Sequence, residues 1–169
     1  MAKIKLHQLT QDFYDEHSHL TEIADKNSNG NLEDKGRGYG VLMIQIKGYQ
    51  FAIPLRSKMK HKENFPTKVY TQHNKQYRKG LDYTKAIIIT DPRFVSHRSF
   101  KIPQDEFLKI VNSENRIIQS FEKYVNRYVQ AYNTGDENIL RRYQFSTLQN
   151  YHTELGCVSI TNYSEQQTS

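Results

Sequence analysis

Two neighbouring apolar segments, separated by two turn residues, restrict the fold of this chain more than any other feature. Residues 39–46 (YGVLMIQI) are almost continuously apolar. In residues 49–55 (YQFAIPL), the alternate residues Phe51, Ile53 and Leu55 lie on one face of a strand. Gly48 supplies the positive φ that a two-residue hairpin turn requires. Pro54 cannot donate a backbone hydrogen bond, so it marks an edge or a bend where the second strand leaves the sheet. We therefore predict a β-hairpin.

The rest of the chain extends this hairpin to an α+β domain with a small, strongly bent antiparallel sheet and added helices. A polar excursion at 56–82 interrupts the pattern, and it contains one short predicted strand. The predicted strands are 3–9, 68–71 and 85–90; the predicted helices are 12–23, 103–133, 136–143 and one that starts at 146; a loop covers 27–31. We expect one domain over residues 1–156 and a disordered Ser/Thr/Gln-rich tail at 157–169.

The predicted helix at 103–133 is the longest element. Pro103 suits its first turn, where acidic side chains also complement the positive end of the helix dipole. Apolar residues recur at helical spacing from Phe107 to Tyr132, and Gly135 ends the helix. This stripe indicates packing against the core rather than a ligand site.

The positive charge of the chain is concentrated in the excursion. Residues 56–85 hold nine Lys or Arg residues and two acidic residues, which gives +7, whereas the whole chain carries +6. The remaining residues therefore sum to about −1. Clustered cations favour a polyanionic partner because they displace the counterions condensed on nucleic-acid phosphates. The alternative is a solvated basic loop that keeps the protein in solution.

Several classes of function are disfavoured by what the sequence lacks. Cys157 is the only cysteine, so the chain forms no internal disulfide and no zinc site built on cysteines. The seven histidines lack metal-ligand spacing and the acidic residues do not cluster, so we predict no metal and no cofactor. The N-terminus has no apolar signal core and no apolar run is long enough to span a bilayer, so we expect a cytoplasmic protein.

Residues 54–62 (PLRSKMKHK) are the strongest candidate for chemistry, because a hydroxyl, an imidazole and four cations follow the end of a strand. Cleavage of RNA without metal needs a base for the 2′-OH, an acid for the leaving 5′-oxygen, and cations that stabilise charge on phosphorus. We predict Ser57, Lys60, His61 and Arg37 as the catalytic residues. The alternative is a basic strand end that only grips phosphate.

A glycine-rich segment, GRGYG at 36–40, precedes the first strand of the hairpin. It does not open a helix, so it is neither a dinucleotide fingerprint nor a P-loop. It indicates either close approach of the backbone to a ligand or a bulge at the edge of the sheet.

Residues 37–57 (RGYGVLMIQIKGYQFAIPLRS) resemble the core of the toxins of type III toxin–antitoxin systems, the ToxN/AbiQ group, and most closely its TenpN subgroup. The shared pattern is a cation, an aromatic residue two positions on, a hydrophobic strand, a Gly turn, and a second strand that ends Pro-Leu-x-Ser before lysines. The segment 145–156, with the pattern Phe-Ser-x-Leu, and the segment KGLDY at 79–83 also resemble this group.

This resemblance implies a compact bent sheet like that of the Kid/MazF toxins, and metal-independent RNA cleavage that leaves a 2′,3′-cyclic phosphate. It also implies inhibition by a repeated, pseudoknotted RNA antitoxin, which the toxin cuts into units and with which it assembles into a closed complex. Members of the group act in plasmid maintenance and in abortive defence against phage.

The resemblance transfers to individual residues unevenly. Ser57 stands at the serine of the group, Arg37 replaces a lysine, and Tyr39 takes an aromatic position. Met59 stands where the group has a lysine, so the resemblance implies that Lys60, one position later, replaces it or that His61 takes part of its role. The identities of the acid and of the base therefore stay open.

A further set of residues is predicted to contact RNA through cations and aromatic rings. This set is Tyr39, Arg56, Lys58, Lys62, Lys68, Tyr70 and Lys79. The candidates for base stacking are Phe65, Tyr70, Tyr77 and Tyr83, with core packing as the alternative for at least two of them. Two other functions stay open: a non-catalytic RNA-binding regulator that uses the same basic surface, and a toxin-like protein that acts on other partners through its long helix.

Overall fold

The computed structural model of the chain describes residues 4–23 and 40–159. Within these ranges the strands are β1 Leu6–Leu9, β2 Gly40–Ile46, β3 Tyr49–Met59, β4 Asn64–Gln72, β5 Lys75–Asp82, β6 Ile87–Ile89 and β7 Val95–Ser99. The helices are α1 Gln11–His17, α2 Gln104–Asn112, α3 Glu114–Thr134 and α4 Glu137–Leu140. Short 3₁₀ turns cover Tyr83–Lys85, Pro92–Phe94, Arg141–Tyr143 and Thr147–Asn150. The prediction of an α+β fold with an antiparallel sheet is confirmed.

The strand β3 is the centre of the sheet and changes its partners along its length. The strand order is β4-β5-β3-β2-β1-β7, and β6 also pairs with β3. The predicted hairpin is confirmed, since β2 and β3 pair from Ile46↔Tyr49 to Val41↔Pro54. Pairing with β5 begins at the next residue, with Leu55 opposite Leu81. Pro54 is thus the last residue of β3 that pairs with β2.

The predicted excursion at 56–82 is wrong apart from its short strand at 68–71, which lies within β4, because these residues extend the sheet. The strand β3 continues past residue 55 to Met59, and β4 and β5 form a second hairpin whose turn is His73-Asn74. Both turn residues have a positive φ although neither is glycine, so the glycine that usually reveals such a turn is missing. Because β4 is an edge strand with mostly solvated side chains, its composition resembles that of a loop.

The helix predicted at 103–133 is interrupted and forms α2 and α3. They meet at Ser113, whose φ of −115° and ψ of 15° are not helical. The Ser113 amide donates to the Ile110 carbonyl, and the Ser113 carbonyl accepts from the Ile117 amide. The apolar periodicity continues across this one-residue break, which is why the sequence pattern did not reveal it.

Other predicted boundaries also differ. The first helix ends at residue 17, and the predicted strand 85–90 is shortened to β6. The predicted helix 136–143 consists of α4 and a following 3₁₀ turn, and the predicted helix from 146 is a 3₁₀ turn. The strand β7 was not predicted. Two residues of the predicted disordered tail form hydrogen bonds: the Cys157 amide donates to the His152 carbonyl at 2.8 Å, and the Val158 amide donates to the Asn133 Oδ1 at 2.6 Å. The predicted loop 27–31 and tail residues 160–169 lie outside the described residues.

The core lies between the sheet and α3. Phe121 of α3 and Phe51 of β3 are both fully buried, and their ring centroids lie 5.2 Å apart. The apolar stripe of α3 is therefore core packing, as the sequence predicts. None of the helices within the described ranges combines the length and the apolar character needed to cross a membrane.

Candidate active site

The far end of β3 brings together several of the predicted site residues. Arg56 pairs with Gly80 and Met59 with Arg78, so three steps along β3 match two along β5. Such a mismatch is a β-bulge, which bends a strand and redirects its side chains. The bulge falls on Ser57 and Lys58, both exposed. The sequence motif after Pro54 is therefore the end of a paired strand and not a loop.

Two lysines of this strand end lie above one tyrosine ring. The Nζ atoms of Lys58 and Lys60 are 4.7 Å and 5.6 Å from the ring centroid of Tyr77. The Tyr70 ring lies 5.8 Å from that of Tyr77, and the Tyr70 hydroxyl donates to the Ser57 carbonyl at 2.7 Å. We call these five residues the lysine–tyrosine cluster. The ring quadrupole attracts both ammonium groups, so one tyrosine ring holds two cations.

His61 contacts a buried carboxylate. Its Nε2 lies 3.2 Å from the Oδ1 of Asp82, whose side chain is 4% exposed. The same Oδ1 accepts from the amide of Thr84 at 3.0 Å and from its hydroxyl at 2.6 Å. We call this contact the His61–Asp82 pair. It joins the second residue after β3 to the last residue of β5.

The Asp82 carboxylate is held in its charged form. Burial acts to raise its pKa, but hydrogen bonds from His61 and Thr84, and the charges of His61 and Arg56, outweigh burial and lower the pKa below the ordinary value. A buried anion beside an imidazole fixes the orientation of the ring. The Nδ1 of His61 is enclosed and has no hydrogen-bond partner among the described residues.

Most of the basic residues of 56–85 lack a carboxylate partner. Two of them are neutralised: Lys79 contacts Glu106 at 3.1 Å and Lys85 contacts Glu22 at 3.0 Å. Those that form no ion pair within residues 4–23 and 40–159 are Lys58, Lys60, Lys62, Lys68, Lys75 and Arg78. The predicted RNA-binding residue Lys79 is thus the one most compensated by an acid, while Lys68, opposite it on β4, is exposed.

Arg56 faces another part of the surface. It lines a small cavity with Pro54, Lys85 and the apolar residues Phe13 and Val41, where β2 begins. The predicted residues Arg37 and Tyr39, and the glycine-rich segment except Gly40, lie outside the described residues. The structure therefore places Ser57, Lys58, Lys60 and Tyr70 in one cluster, His61 beside it in sequence but against Asp82, and Arg56 towards β2.

The predicted stacking residues divide as the core-packing alternative expects. Phe65, Tyr77 and Tyr83 are buried, and Tyr83 packs against Phe121 with ring centroids 5.4 Å apart. Tyr70 is half-buried and is the most accessible of the four. Of the four predicted stacking residues, Tyr70 is therefore the one that is not buried.

Sequence reasoning missed two residues that shape the site. Asp82 lies 21 positions after His61 in the chain and reaches it only because β5 pairs with β3. Its pattern Asp-x-Thr, in which the carboxylate accepts from the amide two residues on, is a local cue for a turn. Tyr77 was predicted only as a candidate for base stacking or core packing, whereas its ring lies beneath the ammonium groups of Lys58 and Lys60.

Within residues 4–23 and 40–159, no three His, Cys, Asp or Glu side chains gather in a way that would hold a metal ion.

Comparisons with protein-family models, curated proteins and solved structures find no match for this chain.

Proposed function

We propose that this protein is a metal-independent endoribonuclease that cuts single-stranded RNA, and that it acts as the toxin of a type III toxin–antitoxin system in the cytoplasm. The observation that carries the proposal is the lysine–tyrosine cluster beside the His61–Asp82 pair at the end of β3. Cations without carboxylate partners and an oriented imidazole are the groups that metal-free phosphoryl transfer needs.

The reaction begins when a base removes the proton of a 2′-OH. The 2′-oxygen then attacks the adjacent phosphorus, the bond to the 5′-oxygen breaks, and an acid protonates that oxygen, which leaves a 2′,3′-cyclic phosphate. Lys60 and His61 are the candidates for proton transfer, Arg37 holds the phosphate in a fork, and Ser57 orients it by hydrogen bonds. Lys58 stabilises the negative charge that develops on the phosphoryl oxygens.

The proposal includes a Kid/MazF-like bent sheet and a repeated pseudoknot RNA as the antitoxin, which the toxin also processes within a higher-order complex. Support for the bend comes from β3, which leaves β2 at Pro54 and pairs with β5 from Leu55 onward. Support for an RNA partner comes from the six cations of the basic segment that form no ion pair within the described part of the chain. Phage defence by abortive infection is the expected role in the cell.

A second candidate is a non-catalytic RNA-binding regulator. The enclosed Nδ1 of His61 favours it, because His61 offers no free ring nitrogen to a substrate in this arrangement. For His61 to transfer a proton during cleavage, the ring must turn away from Asp82 or the residues that cover Nδ1 must move. Lys60 is exposed and needs no such movement.

The decisive experiment is cleavage of single-stranded RNA by purified protein in excess EDTA, together with growth of cells that express the gene without its upstream region. We expect cleavage and growth arrest. Lys60→Ala should slow cleavage by about 10²- to 10⁴-fold and remove toxicity while RNA is still bound, and Ser57→Ala should have a comparable or smaller effect.

The matched control is Lys75→Ala, because Lys75 is an exposed lysine of the same basic segment at the far end of β5 and forms no ion pair within residues 4–23 and 40–159. It should leave toxicity nearly intact. A strict requirement for Mg²⁺ or Zn²⁺ would exclude the mechanism. If Lys60→Ala, Ser57→Ala and His61→Ala all stayed fully toxic, the active site would lie elsewhere. RNA binding without any cleavage would establish the regulator instead.

A further inference from the structure

A groove of about 270 Å³, lined by residues with charged, amide or hydroxyl groups, lies between the β3–β4 connection and α3. Lys62 lines it from the connection, and Lys123 and Arg127 line it from the helix. We propose that this groove is a second phosphate-binding site, which holds the RNA backbone beside the position of cleavage. The inference rests on the proposed function, because it names the path that the RNA strand follows away from the active site.

The charge of the groove favours phosphate. Lys62, Lys123 and Arg127 are exposed, and none of them forms an ion pair within the described ranges of the chain. Glu63 is the acidic residue of the lining, so three cations face one carboxylate. Lys123 and Arg127 are four residues apart on α3 and therefore lie one turn apart on the same helix face. The planar fork of arginine matches two phosphate oxygens at once.

The walls of the groove are fixed by tyrosines whose hydroxyls already have partners. The Tyr83 hydroxyl shares a hydrogen bond with Ser120 Oγ at 2.5 Å, and the Tyr143 hydroxyl donates to the Tyr124 carbonyl at 2.8 Å. Burial, with the nearby charge of Glu63, raises the pKa of Tyr143 to about 12, against the opposing effect of Arg127 and Arg142. These tyrosines therefore stay neutral at physiological pH and leave the cations as the charged groups available to a ligand.

The groove begins where the candidate active site ends. Lys62 follows His61 directly in the chain, and Tyr83 follows Asp82, so both members of the His61–Asp82 pair are covalently adjacent to residues of the lining. Consecutive Cα atoms are about 3.8 Å apart, which places the groove within reach of the nucleotide next to the one that is cut. A single-stranded RNA presents a phosphate at each nucleotide, so a strand that continues past the candidate active site offers further phosphates to Lys62, Lys123 and Arg127.

The test is the salt dependence of binding to a fully 2′-O-methylated single-stranded RNA, which lacks the attacking hydroxyl and is not cut. The variant Lys123→Ala/Arg127→Ala should bind more weakly, and its plot of log K against log salt should be less steep by about 1.4, since each phosphate contact on a single strand contributes about 0.7. The charge-conserving variant Lys123→Arg/Arg127→Lys should keep the wild-type slope.

The matched control is Arg98→Ala/Lys101→Ala, which removes one arginine and one lysine, both exposed, in and just after β7 at the opposite edge of the sheet from β4. Its slope should equal that of the wild type. If the wild type binds and cuts RNA while the Lys123→Ala/Arg127→Ala variant keeps the wild-type slope and affinity, the second phosphate site is overturned and the proposed function stands. If the wild type binds no RNA at all, both the proposed function and this inference are overturned.

Discussion

Replacing Asp82 by asparagine tests whether the His61–Asp82 pair stabilises the end of the sheet through its charge. The amide keeps an oxygen that can accept from Thr84, but it removes the negative charge that faces His61. Hydrogen bonds to charged groups contribute about 1.5–3 kcal/mol and neutral ones about 0.5–1.5 kcal/mol, so each bond weakens by about 1 kcal/mol. The three bonds share one oxygen and are not independent. We expect Asp82→Asn to lower the free energy of unfolding by about 1–3 kcal/mol near neutral pH.

The loss should depend on pH with a defined sign. The pKa of Asp82 in the folded protein lies below its ordinary value of 3.8, so its charge stabilises the fold above that value, and the stabilisation disappears as the pH falls through the folded pKa. The difference between wild type and variant should be present near both pH 7 and pH 5, because the Asp82 carboxylate is charged at both values. It should shrink as the pH falls below 3.8, because the unfolded carboxyl then takes up its proton, and it should vanish once the pH lies below the lowered pKa of the folded carboxyl.

The assay is urea denaturation of both proteins at about pH 7, 5 and 3, with the free energy of unfolding extrapolated to water. Asp91→Asn is the matched control, because Asp91 also accepts from the amide two residues on at the start of a 3₁₀ turn, but it is at the surface. Its loss should be clearly smaller than that of Asp82→Asn. An equal loss for Asp82→Asn at all three pH values, or none near pH 7, would refute the reasoning.

Two further predictions concern positions where the packing fixes the outcome. Gly80→Ala should lower the free energy of unfolding by more than about 2 kcal/mol, because the φ of Gly80 is +153° and a Cβ would lie 2.1 Å from the backbone carbonyl oxygen of Phe65. Gly48→Ala is the control, since Gly48 has a φ of +80° and a Cβ there would meet no atom within 4 Å; it should cost only about 1 kcal/mol in the same denaturant titrations. Phe121→Ala should cost about 3–5 kcal/mol, since its side chain is fully buried, whereas Phe145→Ala, at a residue that is 62% exposed, should change the melting temperature little; equal losses would contradict the assigned burial.

The sequence by itself determined the elements whose side chains repeat with one clear period. The β2–β3 hairpin follows from apolar segments around a Gly48 turn, and α3 follows from a stripe of apolar residues at helical spacing that ends before Gly135. The concentration of lysines after Pro54 was also visible, as was the presence of a hydroxyl and an imidazole among them. These features are local, because each depends on neighbours within one or two turns of the chain.

Only the tertiary structure decided which of these residues meet. The pairing of β3 with β5 brings His61 to Asp82 and sets Lys58 and Lys60 above Tyr77. Of the β4–β5 hairpin that makes this possible, the sequence predicted only a short strand at 68–71, since the turn lacks glycine and the edge strand is mostly polar. Sheet register and helix packing join residues far apart in the chain, and such contacts leave no period in the sequence. A pattern of local spacing therefore reveals the elements and not the site that they build.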